Sequence, residues 1–212
     1  MNNALNIFVS RLIAALFSSR RSKTLASVVA LVLAALGGVT VLKPNTDTRS
    51  QSSVASLKGA YTLKGRVTQV ADGDTFTLQV DGRSQRVRLA SIDAPETTKD
   101  KSQPGQPGAQ ASKIALSRLV AGKTVDLSCY ERDQYDRHIC DVSMPDGSTA
   151  NQQQVAAGMA WANMEGRGKY MRDSALPGLE EQARRARLGL WQDASPVQPW
   201  VWRYQCWKKS KC

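Results

Sequence analysis

Short runs alternating apolar and polar residues, a tight turn between the second and third of them, and a helical stretch after the third predict an α+β, mainly β chain. The pattern is that of a five-stranded OB-fold barrel with Greek-key connectivity and about three helices, preceded by one N-terminal transmembrane or signal helix. With 212 residues, 42% hydrophobic and 22% charged, the chain has ordinary globular composition, which excludes wholesale disorder. Its 15 glycines and 8 prolines exclude a collagen-like or low-complexity architecture. A single His excludes a His-rich metal centre.

Taken in order, residues 1–24 form a basic N-terminus expected in the cytoplasm. Residues 25–42 come next as an uncharged 18-residue apolar run, Leu25 to Leu42, preceded by Arg20, Arg21 and Lys23. At about 1.5 Å per residue this run spans ~27 Å, close to the hydrocarbon thickness of a bilayer. It exceeds a signal-peptide core of about 7–15 residues, although Ala35-Leu36-Gly37 offers a small-x-small cleavage pattern. The expectation is an uncleaved single-pass anchor with its basic end inside and the C-terminal domain outside the cytoplasm; secretion after cleavage is the alternative. Residues 43–60 are polar and Ser-rich and are expected to be a flexible linker.

The domain is expected at 61–195. The runs LKGRVTQV, DTFTLQV and QRVRLASI read as strands, with Asp81-Gly82 turning the second into the third. Ala111, Ile114, Ala115 and Leu119 lie at helical spacing up to Gly122; strands are expected near 124–130 and 137–143, then helices near 149–157 and 176–188, stopped by Gly158 and Gly189. Residues 196–212 form a Trp- and Lys-rich tail.

Cysteine usage suits export, since all four lie beyond the apolar run. Cys129 and Cys140 close neighbouring strand-like runs and can be bridged, and Cys206 and Cys212 can bridge the tail; a Cys-only zinc site is the rival, without the usual short spacings. Charge narrows the partners. Residues 1–60 carry seven basic residues against one acidic, and the remainder 22 against 17, so the domain itself is basic. Such a surface attracts nucleic acid, anionic lipid or acidic proteins.

Two carboxylate clusters hold the chemistry. Asp72-Gly73-Asp74-Thr75 opens the second strand and Asp93-Ala94-Pro95-Glu96 ends the third, and these ends approach each other in a hairpin. Three or four converging carboxylates need a cation, and an all-oxygen set favours Ca²⁺ or Mg²⁺. Alone, D-G-D-T reads more readily as a turn. Arg88 and Arg137 add guanidiniums, and a metal, two guanidiniums and a spare carboxylate are the parts needed to hydrolyse a phosphodiester.

The segments VADGDTFTL, VRLASIDAPET, RDQYDRHIC, QQQVAAGMAW and EEQARRARLGLW resemble, in order and spacing, the staphylococcal nuclease (thermonuclease) family, in an exported or membrane-anchored bacterial form. The resemblance runs from about Leu63 to Trp191 and implies an OB-fold, Ca²⁺-dependent endonuclease, with DNA as the expected substrate and RNA left open as a further one. It implies that Asp74 and Asp93 ligate Ca²⁺ through carboxylates and Ala94 through its carbonyl. Glu96 would be the general base, Arg88 and Arg137 the phosphate-binding arginines, and Tyr135 an aromatic beside the nucleotide. The pair Cys129 and Cys140, and the QPWVWR segment of the tail, resemble features of exported members. Asp136 stands where Gly is usual, Gln134 replaces a common basic residue, and the family's second nucleotide-stacking Tyr has no counterpart near Asn163 and Met164.

Other residues carry less. His138 lies next to Arg137 on a strand without a nucleophile partner and reads as a structural or surface residue. Trp200, Trp202 and Trp207 with Arg203, Lys208, Lys209 and Lys211 suit either a single-strand stacking surface or a tail packed on the barrel. Arg184, Arg185 and Arg187 read as a solvated helix face. Nothing demands an obligate protein partner, so a monomer is expected. A catalytically weak or inactive nuclease-fold module binding nucleic acid or an anionic envelope partner is the alternative, and retention of the whole carboxylate and arginine set counts against it.

Overall fold

The computed structural model describes residues 60–212. The basic N-terminus, the apolar segment at 25–42 and nearly all of the linker lie outside the described residues, and so does the expectation of an anchor. Among the described residues no helix is long and apolar enough to cross a membrane.

Five strands close the barrel: β1 (Tyr61–Val70), β2 (Thr75–Val80), β3 (Arg83–Leu89), β5 (Thr124–Arg132) and β6 (His138–Val142). Their order is β1-β2-β3-β6-β5, with β1 pairing back onto β5, so no edge of this sheet is left open. All pairs are antiparallel except β3 with β6. Asp81 and Gly82 both adopt positive φ, 46° and 76°, as a two-residue turn matched to strand twist requires. Alternate residues point inward: Val67, Phe76, Leu78, Val87, Leu89, Leu127 and Val142 fill the core and are buried almost completely. The predicted barrel is the observed one.

Between β3 and β5 the chain forms β4 (Ile92–Asp93) and α1 (Ala109–Val120), and α1 seats Leu116 and Val120 in the core. After β6 comes α2 (Ala150–Ala156), whose N-terminus is closed by a capping box between Thr149 and Gln152. Next are β7 (Trp161–Ala162), the single turn α3 (Glu165–Gly168) and α4 (Leu176–Arg185). β4 and β7 pair with each other as a small second sheet, too short for periodicity to announce.

The predicted helix over 176–188 ends earlier. Arg187 takes a left-handed φ of 52°, its N–H reaches the carbonyl of Arg184, and the N–H of Leu188 reaches that of Ala183. These two bonds form a Schellman stop, placed at Arg187 and not at the glycine two residues later.

The tail is also structured, as α5 (Pro199–Trp202) running into a π-helical segment, Arg203–Lys208. Trp200 packs against the cluster of Trp161, Ala183, Leu190 and Trp191. Both cysteine pairs are bridged. Cys129 and Cys140 join β5 to β6 at directly opposed positions, Cys206 and Cys212 close the tail, and no cysteine remains for zinc.

Candidate active site

Strand register assembles the site. Thr75 on β2 faces Arg88 on β3, so Asp74, one residue earlier, stands beside the Arg88 side chain. The N–H of Leu89 donates to the Asp74 carbonyl at 2.8 Å and pins this corner. Asp72 shapes the approach, its carboxylate accepting from the N–H of Asp74 at 3.1 Å. Gly73 is required by packing: a Cβ there would lie 1.8 Å from the Oγ of Ser112 on α1 and 2.7 Å from the Cβ of Ala94. Its carbonyl accepts from the buried Gln154 amide at 2.7 Å.

Asp93 lies on β4, opposite Trp161, and is 1% exposed. Arg88 Nη2 donates to Asp93 Oδ1 at 2.8 Å and to Asp74 Oδ2 at 3.4 Å, tying the two carboxylates together. Asp74 also accepts from the Thr75 hydroxyl at 2.8 Å and from the N–H of Ala94 at 3.0 Å. Complete burial would raise the Asp74 carboxyl; Arg88 and these two donors outweigh it and hold the group below its ordinary range. Burial alone would depress the Arg88 guanidinium, and Asp74 and Asp93 instead hold it firmly protonated.

Glu96 lies three residues past Asp93. Burial pushes its carboxyl up, opposed by a hydrogen bond from Arg203. Arg203 comes from the tail. Its Nη1 donates to Glu96 at 2.7 Å and to Asp93 Oδ1 at 3.1 Å, and its Nη2 to Asp93 Oδ2 at 2.8 Å. Lys99 Nζ stands 3.8 Å from both Glu96 and Asp72. The Glu96 loop is fastened by Gln106, which receives the N–H of Glu96 at 3.4 Å and returns its own N–H to the Glu96 carbonyl at 2.8 Å.

The structure thus brings Asp74, Asp93, Arg88 and Glu96 together, with Ala94 between them. Arg137 and Tyr135 sit at the turn between β5 and β6. Asp133 grips the Arg137 guanidinium at 2.8 Å and 2.6 Å, and that guanidinium lies 5.4 Å from the Tyr135 ring centroid. Tyr135 is 62% exposed, free to meet a ligand. Asp136, in the place where Gly is usual, has the φ of 58° that explains the preference, and its carboxylate is paired with Arg132.

Asp74, Asp93 and Glu96 converge, as expected, through shared arginine contacts, but among the described residues no three or more His, Cys, Asp or Glu are arranged as a group that could hold a metal ion. What exists is the Asp74–Asp93 pair, with Glu96 linked to it through Arg203. This donor set still suits a hard cation, because it is all oxygen, anionic and held rigidly by buried donors. Sequence reasoning missed Arg203 as a site residue, Asp133 as the clamp on Arg137 and Gln106 as the fastener of the Glu96 loop. The i,i+4 spacing of Asp133 and Arg137 was a usable signal; nothing local announced Arg203. His138 is buried, with Tyr61 Oη at 2.8 Å and Gln85 Oε1 at 3.1 Å from its ring nitrogens, a structural placement.

A small closed barrel that presents a buried carboxylate pair, a bridging arginine and a further carboxylate on a basic surface is the framework of a nuclease. The chain matches the family described as Staphylococcal nuclease homologue over residues 86–193, about half its length. It is 41% identical over 143 residues to an uncharacterized endonuclease of Escherichia coli O157:H7, covering 68% of this chain and 86% of that one. A second uncharacterized endonuclease, from Haemophilus influenzae, is 38% identical over 141 residues, 66% of this chain and 72% of its own. A micrococcal nuclease of Shigella flexneri is 34% identical over 158 residues, 71% of this chain and 86% of its own. The chain belongs to the staphylococcal nuclease family and is a phosphodiester-hydrolysing nuclease.

Proposed function

We propose that this nuclease is a Ca²⁺-dependent endonuclease that cleaves DNA, with Glu96 as the base and Arg88 and Arg137 on the phosphate. The observation that carries the reading is the rigid anionic pair Asp74 and Asp93, bridged by Arg88 with Glu96 alongside. Asp74, Asp93 and the carbonyl of Ala94 would hold the cation. When bound, it supplies positive charge that polarises a phosphoryl oxygen.

The chain's own residues then have separate roles. Glu96 accepts the proton of the attacking water, and burial shifts its carboxyl in the direction that strengthens a base. Arg88 and Arg137 donate paired N–H groups to the non-bridging oxygens, where charge accumulates in the transition state. Asp133 orients the Arg137 fork before substrate arrives. Tyr135 offers an exposed ring to a neighbouring base or sugar.

In the same reading residues 25–42 anchor the chain in the cell membrane, and a monomeric domain faces the periplasm or the exterior, the compartment in which two disulfides persist. The test of the activity is cleavage of single-stranded DNA by the purified chain in a chelator, then with Ca²⁺ restored. Activity is expected to vanish and return; full activity in excess chelator overturns the cation role, and no activity in either condition favours a binding module. Protease added to spheroplasts should remove the domain if it lies outside the cytoplasm.

A further inference from the structure

One carboxylate assigned to the cation, Asp93, and the carboxylate assigned as the base, Glu96, are already in contact with a cation of the protein's own. Arg203 lays its guanidinium across both oxygens of Asp93 at 2.8 Å and 3.1 Å and reaches Glu96 at 2.7 Å. It does so from the opposite end of the domain sequence, 110 residues beyond Asp93 and 107 beyond Glu96. With Arg88 on Asp93 Oδ1 as well, every oxygen of Asp93 accepts a charged hydrogen bond. A carboxylate in that state has little capacity left for a divalent ion, and the guanidinium adds like-charge repulsion against it.

The placement is built into the tail. The indole N–H groups of Trp202 and Trp207 both donate to the carbonyl of Pro104, at 3.2 Å and 2.9 Å, and Gln106 donates to the carbonyl of Val197. These three bonds fasten the tail to the loop beyond Glu96. Arg203 opens the π-helical segment, a backbone form that recurs at functional sites, and the Cys206–Cys212 bridge stiffens the residues after it. The barrel strands do not include the tail, so its movement would leave their pairing intact.

We propose that Arg203 is a tethered plug: its guanidinium occupies the catalytic carboxylates in the resting chain, and a divalent cation must displace it, so the C-terminal tail sets the Ca²⁺ level at which the nuclease becomes competent. The inference rests on the assignment of Asp93 and Glu96 to the Ca²⁺-dependent reaction.

The test is calorimetric titration of the full chain with Ca²⁺, without substrate. Arg203→Gln should bind Ca²⁺ more tightly than wild type, by about tenfold or more, at the low end of measured coupling between close charge pairs. A double variant, Trp202→Ala with Trp207→Ala, keeps Arg203 but loses both bonds to Pro104, and should also bind more tightly, by a smaller factor. This second variant guards against a local effect of the Arg203→Gln change. Equal affinity in wild type and variants overturns the plug while leaving the Ca²⁺ site standing. Weaker binding in Arg203→Gln overturns it too, and makes Arg203 a fixed part of the occupied site. No binding in any of the three removes both the plug and the cation assignment.

Discussion

At the scale of single residues, the site works because a few atoms cannot be moved. Gly73 is the clearest case: it serves a close approach between the β2 corner and α1, since its φ is not positive and yet a Cβ would strike Ser112 and Ala94. Gly73→Ala is expected to cost about 1–3 kcal/mol, the usual range for overpacking, and to lower activity further because Asp74 is the next residue. Urea unfolding measures the first effect and turnover the second. Glu96 tests the chemistry directly. General-base assistance typically contributes about 10²–10⁴-fold, so Glu96→Gln should lower kcat by that range with KM little changed. Turnover within a few-fold of wild type would move the base elsewhere. The carboxylates, Arg88 and Arg137 were legible in the sequence as clustered residue types at strand ends. Arg203 was not, because its partners lie more than a hundred residues away and its own neighbourhood of tryptophans and lysines suggested a surface.

At the scale of elements, legibility followed periodicity. The five barrel strands announce themselves by alternation over five to ten residues, and Asp81-Gly82 by its turn chemistry. β4 and β7 hold two residues each and exist only because tertiary packing pairs Ile92 with Ala162 and Asp93 with Trp161. Helix ends depend on which residue accepts a left-handed backbone. In α4 that residue is Arg187, although a glycine stands two positions later. A non-glycine residue there carries a steric cost, so Arg187→Gly should raise stability by roughly 1 kcal/mol. A urea midpoint unchanged or lowered would show that the Arg187 side chain contributes more than its backbone costs. Gly189 is left-handed as well, with a φ of 52°, and also serves a close approach. A Cβ on it would meet the carbonyl oxygens of Gly158 and Ala157 at 2.5 Å and 2.8 Å, so its absence lets the segment after α4 lie against the end of α2.

At the scale of the whole molecule, the barrel and the tail are expected to open at two levels of stability, and the disulfides divide between them. Cys129 and Cys140 are both fully buried in the core and join opposed residues of β5 and β6, 11 residues apart in sequence. Removing this bridge frees the unfolded chain and empties core volume, so Cys129→Ala with Cys140→Ala should lower unfolding stability by about 2–4 kcal/mol. Cys206 and Cys212 enclose a short loop at the end of a tail outside the barrel strands. Loss of that bridge should leave the global urea midpoint nearly unchanged if the tail opens locally before the barrel unfolds. Its effect should appear at the site, as faster hydrogen exchange of residues 199–208, the segment that carries Arg203. The comparison is read from one unfolding curve and one exchange time course on each double variant. A large loss of global stability from the tail pair would mean that tail and barrel unfold as one cooperative unit, and the tail would then be part of the core fold.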